Sequence, residues 1–190
     1  MLNWMKWLFI SLLILLLLAA GAAFFTFNQS LPALEGEIRA PGLQTEAELA
    51  RDALGQAVIQ ADSRQDAAYA LGVAHGQDRF FQMDLQRRAA AGELSQWVGE
   101  RALEIDKQAR FHQFRQRARD ILAALPATQR QLLQRYSQGV NFALENMGSR
   151  PFEYWLTFST PKPWTPEDSL LVVYSMYMDL QLGQVNLDLA

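Results

Sequence analysis

The chain has 190 residues, enough for one domain, and half of them are apolar while 19% are charged, which is a globular balance. Its net charge of −3 is too mild to imply a nucleic-acid or polyanion partner. It has no cysteine and only two histidines, His75 and His112, which excludes a disulfide framework, a thiol nucleophile and a cysteine- or histidine-rich metal site.

Leu8 to Phe27 is almost wholly apolar, with Lys6 the single positive charge before it. About 20 such residues span a bilayer as a helix. The same stretch also suits a secretory signal, with Ala20-Gly21-Ala22 as a small-residue cleavage site. Residues 1–27 are therefore expected to be a membrane anchor or a signal peptide. The anchor is favoured, because the apolar run continues past the cleavage site. Either way the remainder is exported, to a periplasmic or other extracytoplasmic space.

Residues 28–41 read as a linker containing Pro32, Gly36 and Pro41, with a short strand over Glu35 to Arg39. Glu46–Arg51 and Gln56–Gln60 flank Asp52-Ala53-Leu54-Gly55, two extended runs around a Gly-ended turn, which predicts a hairpin.

Asp66 to Gly99 dominates the chain. It predicts a helix over Gln65–Gly76, a break near Gly76, and a second helix over Gln77–Gly99. On the latter, Phe80, Met83, Ala90, Leu94 and Trp97 share one face of a 3.6-residue period, and Arg87 lies on the same stripe. A guanidinium there must find an acid or reach water. Asp84 is within i,i+3 reach, and Asp66, Asp78 and Asp106 are further candidates. His75 and Asp78 suggest a structural hydrogen bond at the break in preference to a metal or acid–base pair.

Asp106–Leu125 predicts a third helix, apolar on Phe111, Phe114, Ala118, Ile121, Leu122 and Leu125. Its Lys107, Arg110, Arg115, Arg117 and Arg119 are read as a solvated face rather than a nucleic-acid surface, since no aromatics are interleaved among them. A fourth helix runs from Pro126, suited to a first turn, to a stop at Gly148. Ser149–Pro163 is an aromatic loop. Thr165-Pro166-Glu167-Asp168 starts a fifth helix with a cap, a first-turn proline and two acids at the positive end. Leu170 to Leu182 leaves that helix almost no polar face, so it should be buried on every side. The chain offers too few elements to wrap it, so its partner surface is expected to be missing from this chain.

No Gly-x-Ser-x-Gly elbow, Ser-x-x-Lys or glycine-rich phosphate loop is present, and nothing pairs two carboxylates for glycosidase chemistry. The run Tyr69-Ala70-Leu71-Gly72-Val73-Ala74-His75-Gly76-Gln77-Asp78-Arg79-Phe80-Phe81-Gln82-Met83-Asp84-Leu85-Gln86-Arg87-Arg88, followed by Gly92-Glu93-Leu94-Ser95, resembles the signature of the penicillin acylase family. Val73 stands where Tyr is usual and Gly76 where Ala is usual. The resemblance covers roughly Leu34–Ala190.

Members of that family are N-terminal-nucleophile amidohydrolases with a four-layer α/β/β/α sandwich. The resemblance implies that residues 42–190 are an incomplete acylase α-chain region, a mostly α fragment with a short β-hairpin. It implies a C-terminal β chain as partner, whose first residue supplies the nucleophile, with its α-amine as base. The oxyanion donors would lie there too, so no catalytic residue is expected on this chain and the chain alone should be inactive. The substrate would be a small N-acyl amide, cleaved at a linear C–N bond. The last helix of the α chain lines the acyl pocket, which places Met176, Asp179 and Leu180 at substrate-binding positions. Some members carry Arg and Phe at the last two, so an apolar acyl group is expected here. Calcium occurs in some complete enzymes. The matching area, Val185-Asn186-Leu187-Asp188, lacks the usual Glu, so no complete metal site or other cofactor is expected on this chain. The alternative is a membrane-anchored helical scaffold or decayed acylase fragment without chemistry.

Overall fold

The computed structural model describes residues 2–31 and 35–188, with side-chain surroundings for 4–31 and 35–181. The elements in order are α1 (Leu2–Gln29), β1 (Ala47–Arg51), β2 (Ala57–Ala61), α2 (Arg64–Ala91), α3 (Ser95–Val98), a 3-10 turn (Gly99–Ala102), α4 (Leu103–Phe111), α5 (Phe114–Ala124), α6 (Ala127–Glu145), α7 (Glu153–Leu156) and α8 (Pro166–Asp188). Within α1, Trp4–Gln29 is long and apolar enough to cross a membrane, and none of it is buried against the rest of the chain.

The expected hairpin forms. β1 and β2 pair antiparallel with Ala47 opposite Ala61 and Arg51 opposite Ala57. Its turn closes because Asp52 Oδ1 accepts from the Leu54 and Gln56 amides at 2.9 and 2.8 Å, while Gly55 takes φ +77°. The strand expected over Glu35–Arg39 does not form: residues 35–40 pair with no neighbour and run as irregular chain.

The break expected near Gly76 falls instead at Arg79, whose φ of −153° interrupts an otherwise continuous α2. Gly76 stays helical because it is needed for contact. With Gly72 it lets α2 lie on α6: a Cβ at Gly72 would meet the Tyr136 carbonyl, and one at Gly76 would come within 2.8 Å of the Ala143 methyl. Gly139 on α6 returns the arrangement against the Tyr69 carbonyl. Backbones approaching this closely exclude larger side chains at all three places. α2 also ends earlier than Gly99. Gly92 closes it in the left-handed conformation, φ 67°, with its amide and that of Glu93 bonded back to the last turn.

The single helix expected over Asp106–Leu125 is two, α4 and α5, separated at His112-Gln113, where Gln113 has φ 55°. Asp106 explains why the chain doubles back before that point. Its buried carboxylate accepts from the Leu94 and Ser95 amides at 2.9 and 2.7 Å, capping α3 from twelve residues away. Burial opposes its charge, but those bonds outweigh burial and hold its pKa below the ordinary value. Asp66 does the same at the start of α2. It accepts from Gln44, Thr45 and Ser63, and the Gln44 amide above all lowers its pKa.

The expected His75–Asp78 bond is replaced by two others. His75 Nδ1 lies 2.9 Å from the Tyr136 hydroxyl, and Asp78 takes a two-pronged contact from Arg51 on β1, at 2.6 and 3.0 Å. Burial, helped by Arg79, lowers the His75 pKa, and burial pushes Tyr136 up to about 12. α7 is one turn inside the aromatic loop and carries Tyr154 into the core. That core groups Phe80, Met83, Val140, Tyr154 and Trp164, while a second group joins Ala90, Ala91, Phe114, Ala118 and Leu171.

Candidate functional site

Arg87, marked by the sequence as an ion on an apolar stripe, is 4% exposed. Its Nε donates to Asp84 at 2.7 Å, as the spacing predicts. Its Nη1 donates to Asp168 at 2.6 Å and to the Pro163 carbonyl at 3.0 Å, and Nη2 to the Lys162 carbonyl at 2.9 Å. The guanidinium also lies 4.9 Å over the Trp164 ring. Of the four acids considered from sequence, only Asp84 is its partner. Asp168 was foreseen as a helix-start acid and not as the second half of this ion pair.

The cluster extends from both carboxylates. Arg88 Nε donates to Asp84 at 2.9 Å and the Tyr154 hydroxyl donates to its other oxygen at 2.6 Å. Burial and the Asp84 charge push the Tyr154 phenol far above its ordinary pKa, so it remains a donor. Asp168 also accepts from the Thr165 amide and hydroxyl at 2.8 and 2.7 Å, closing the first turn of α8. Arg115 reaches Asp168 at 3.2 Å and clasps Glu93 at 2.7 and 3.0 Å. Three guanidiniums thus meet three carboxylates, and the charges balance. Every carboxylate oxygen in the set accepts a hydrogen bond. What it does is fasten α2, α5, α7 and the lead-in to α8 to one point.

That point sets the direction of α8. Leu171 is fully buried against α2 and α5, and Leu170, Tyr174 and Met178 are half-buried on the same side. The opposite side is open. Val173, Met176, Tyr177 and Leu180 form an exposed apolar strip, Met176 at 56% and Leu180 at 66%. The all-round apolar composition of α8 therefore resolves into one face packed within this chain and one left uncovered. Met176, Asp179 and Leu180 stand together on the uncovered face, within three and four residues of each other along the helix.

Beside the strip is a recess of about 470 Å³ lined by His112, Phe114, Arg117, Tyr174, Tyr177, Met178 and Gln181. Its floor is a ladder of rings: His112 stacks on Phe114 at 5.1 Å, and Phe114 on Tyr174 at 4.4 Å. Sequence periodicity assigned Phe114 to a helix face. The stack depends on the turn at Gln113, which has no local sequence signal. Among the described residues no three His, Asp or Glu side chains stand together as metal ligands. Asn186 and Asp188, the oxygen donors considered for calcium, have side chains outside the described ones.

The basic residues of the expected solvated face are partly engaged. Arg110 donates to the Gly92 carbonyl, Arg117 to the His112 carbonyl, and Lys107 pairs with Glu104 at 2.7 Å. The Arg110 contact ties α4 to the end of α2, the Arg117 contact closes the turn between α4 and α5, and the Lys107–Glu104 pair lies within α4.

Comparison with known proteins locates this arrangement. The family model described as penicillin amidase matches residues 46–190. Penicillin acylase 2 proenzyme of Pseudomonas sp. (strain SE83) is 38% identical over 144 residues, which is 76% of this chain and 19% of that protein. The acyl-homoserine lactone acylase QuiP of Pseudomonas aeruginosa is 35% identical over 170 residues, 86% of this chain and 20% of that protein. The chain thus spans about a fifth of the length of these curated relatives. The solved structure of thermostable penicillin G acylase from Alcaligenes faecalis superposes with a TM-score of 0.63 at 31% identity, covering 69% of this chain and 72% of that one.

Proposed function

The chain belongs to the penicillin amidase family, and on that premise we propose that it is the N-terminal portion of an acylase that hydrolyses the linear amide of a small N-acyl substrate. The nucleophile, its base and the oxyanion donors belong to a C-terminal chain, so this portion alone is inactive. Its part in the reaction is to hold one wall of the acyl pocket. Together the two chains make the α/β/β/α sandwich, outside the cytoplasm, with α1 as the membrane anchor.

The observation that carries this reading is the uncovered face of α8. A helix held rigidly at its first turn by a saturated ionic cluster presents Met176, Tyr177 and Leu180 to solvent. An exposed apolar strip of this kind is a surface for a partner or ligand. Met176 and Leu180 are flexible aliphatic side chains, and Asp179 brings no positive charge, which suits an apolar acyl chain better than an anionic one. The aromatic recess on the adjoining flank adds a second apolar wall.

The test is hydrolysis of a chromogenic acyl-anilide by the chain alone and by the chain co-expressed with the C-terminal chain of a similar acylase. Activity confined to the mixture supports the reading. Activity from this chain alone places a nucleophile on it and overturns the division of labour. An associated but inactive pair favours the scaffold reading instead.

A further inference from the structure

Phe158 has no explanation inside the fold. It occupies the position after α7 that glycine usually fills, with φ 50°. The Ser159 amide bonds back to the Tyr154 carbonyl at 3.0 Å and the Phe158 amide to the Trp155 carbonyl at 3.4 Å, so the turn is a helix-ending motif that a glycine would close without strain. The ring itself is 97% exposed and packs in no core. A bulky residue accepted at a costly backbone position and then held in solvent needs an external reason.

Its neighbours share the exposure. Trp155 is 48% exposed and Leu156 66%, and Phe152 is also open. The turn that carries them is rigid. Tyr154 pins it from below, fully buried and bonded to Asp84, and Arg150 donates to the Ser159 carbonyl at 2.6 Å while lying 3.8 Å over the Trp155 ring.

The position of this patch identifies what it meets. Phe152 touches the Phe27 ring edge-on, centroids 5.4 Å apart, and Phe27 lies at the end of the apolar helix α1. At about 1.5 Å per residue, a span of 26 residues is about 39 Å long, against roughly 30 Å of hydrocarbon. Centred in the bilayer, such a span places its Phe27 end at the headgroup level. Spanning helices commonly carry Trp or Tyr at both interfaces. Here α1 carries Trp4 and Trp7 near one end and neither residue type near the other. The 152–158 turn lies where the missing belt would be.

We propose that the aromatic turn Phe152–Phe158 is a docking surface for the phospholipid interface, seated on the bilayer where α1 leaves it. Trp155 and Phe158 enter the headgroup zone, and the part of the chain beyond α1 is thereby held at a defined tilt to the membrane. This rests on α1 remaining as an anchor.

The chain contains no cysteine, so single substitutions give unique labelling sites. The full chain, co-expressed with a cysteine-free C-terminal chain of a similar acylase and placed in vesicles of phosphatidylethanolamine and phosphatidylglycerol, is spin-labelled at Phe158→Cys, at Leu156→Cys (which keeps the Phe158 ring), at Leu15→Cys in mid-span, and at Leu54→Cys on the exposed hairpin turn. Collision with oxygen is compared with collision with a soluble nickel chelate. The expected result is a hydrocarbon-like Leu15 site, and an oxygen-to-nickel ratio several-fold higher at 156 and 158 than at 54. Ratios at 156 and 158 equal to that at 54, with Leu15 embedded, overturn the docking and leave the anchor standing. A water-exposed Leu15 site overturns both. Low access of both reagents at 158 assigns the patch to protein, a second copy of the chain where spin–spin broadening accompanies it and the C-terminal chain where it does not, and also overturns the proposal.

Discussion

Asp168 and Leu180 stand on the same helix and do opposite things. Asp168, in the first turn of α8, is 2% exposed and saturated with donors from Arg87, Arg115 and Thr165. Leu180, three turns on, is two-thirds exposed and packs on nothing in the core. The ionic end is committed to holding the helix in place, whereas the apolar end is left uncovered. A buried ion pair in a small fold is an expensive way to gain stability, because desolvation offsets most of the attraction. Its value here is directional: the Arg87 fork bonds Asp84, Asp168 and two carbonyls at once, and so ties the start of α8 to α2.

Breaking the committed end should have the largest effect. Arg87→Leu leaves Asp168 with a part-exposed Arg115 as its one cationic partner and removes one of the two guanidiniums at Asp84, and should cost about 3–5 kcal/mol. Denaturant unfolding of the chain measures it, and a midpoint close to the parent would mean that the cluster is not holding the fold. Next comes the crossing beneath it. Gly72→Ala drives a methyl into the Tyr136 carbonyl, where only backbone can give way, and should cost about 1–3 kcal/mol; the thermal midpoint reads it.

A smaller effect distinguishes the α2–α6 contact by pH. The His75 pKa lies below its ordinary 6.5 in the folded chain, because burial disfavours the charged ring. As pH falls below 6.5 the unfolded chain takes up the proton first, so stability is lost from there down to the folded pKa and no further on this account. His75→Gln should flatten that part of a stability-against-pH curve, and an unchanged slope between pH 7 and 5 would remove His75 from the explanation. The open end should respond least in stability and most in chemistry. Leu180→Arg should change the unfolding free energy by no more than about 0.5 kcal/mol. On the proposed function, in the pair co-expressed with a C-terminal chain it should lower kcat/KM for long apolar acyl-anilides about tenfold or more. A large stability loss with unaltered acyl preference would reverse the roles assigned to the two ends.

Much of this could be read from the chain itself. Hydrophobic period located the second half of α2 and α6, start signals located α8, turn chemistry located the hairpin, and the run from Tyr69 to Arg88 pointed to the family. Arg87 on an apolar stripe announced a buried partner, and Asp84 at i,i+3 supplied one from local spacing alone. These are near-neighbour effects, and sequence distance is a fair proxy for them. The tertiary structure decided the rest. Asp168 reaches Arg87 across 81 residues, His75 turns to Tyr136 rather than to nearby Asp78, and Gly76 keeps its helix because α6 needs the space. An apolar helix looks the same from sequence whichever side is covered. Only the packing of α2 and α5 on Leu171 shows which face of α8 is left open, because burial belongs to the surroundings of a residue and not to the residue.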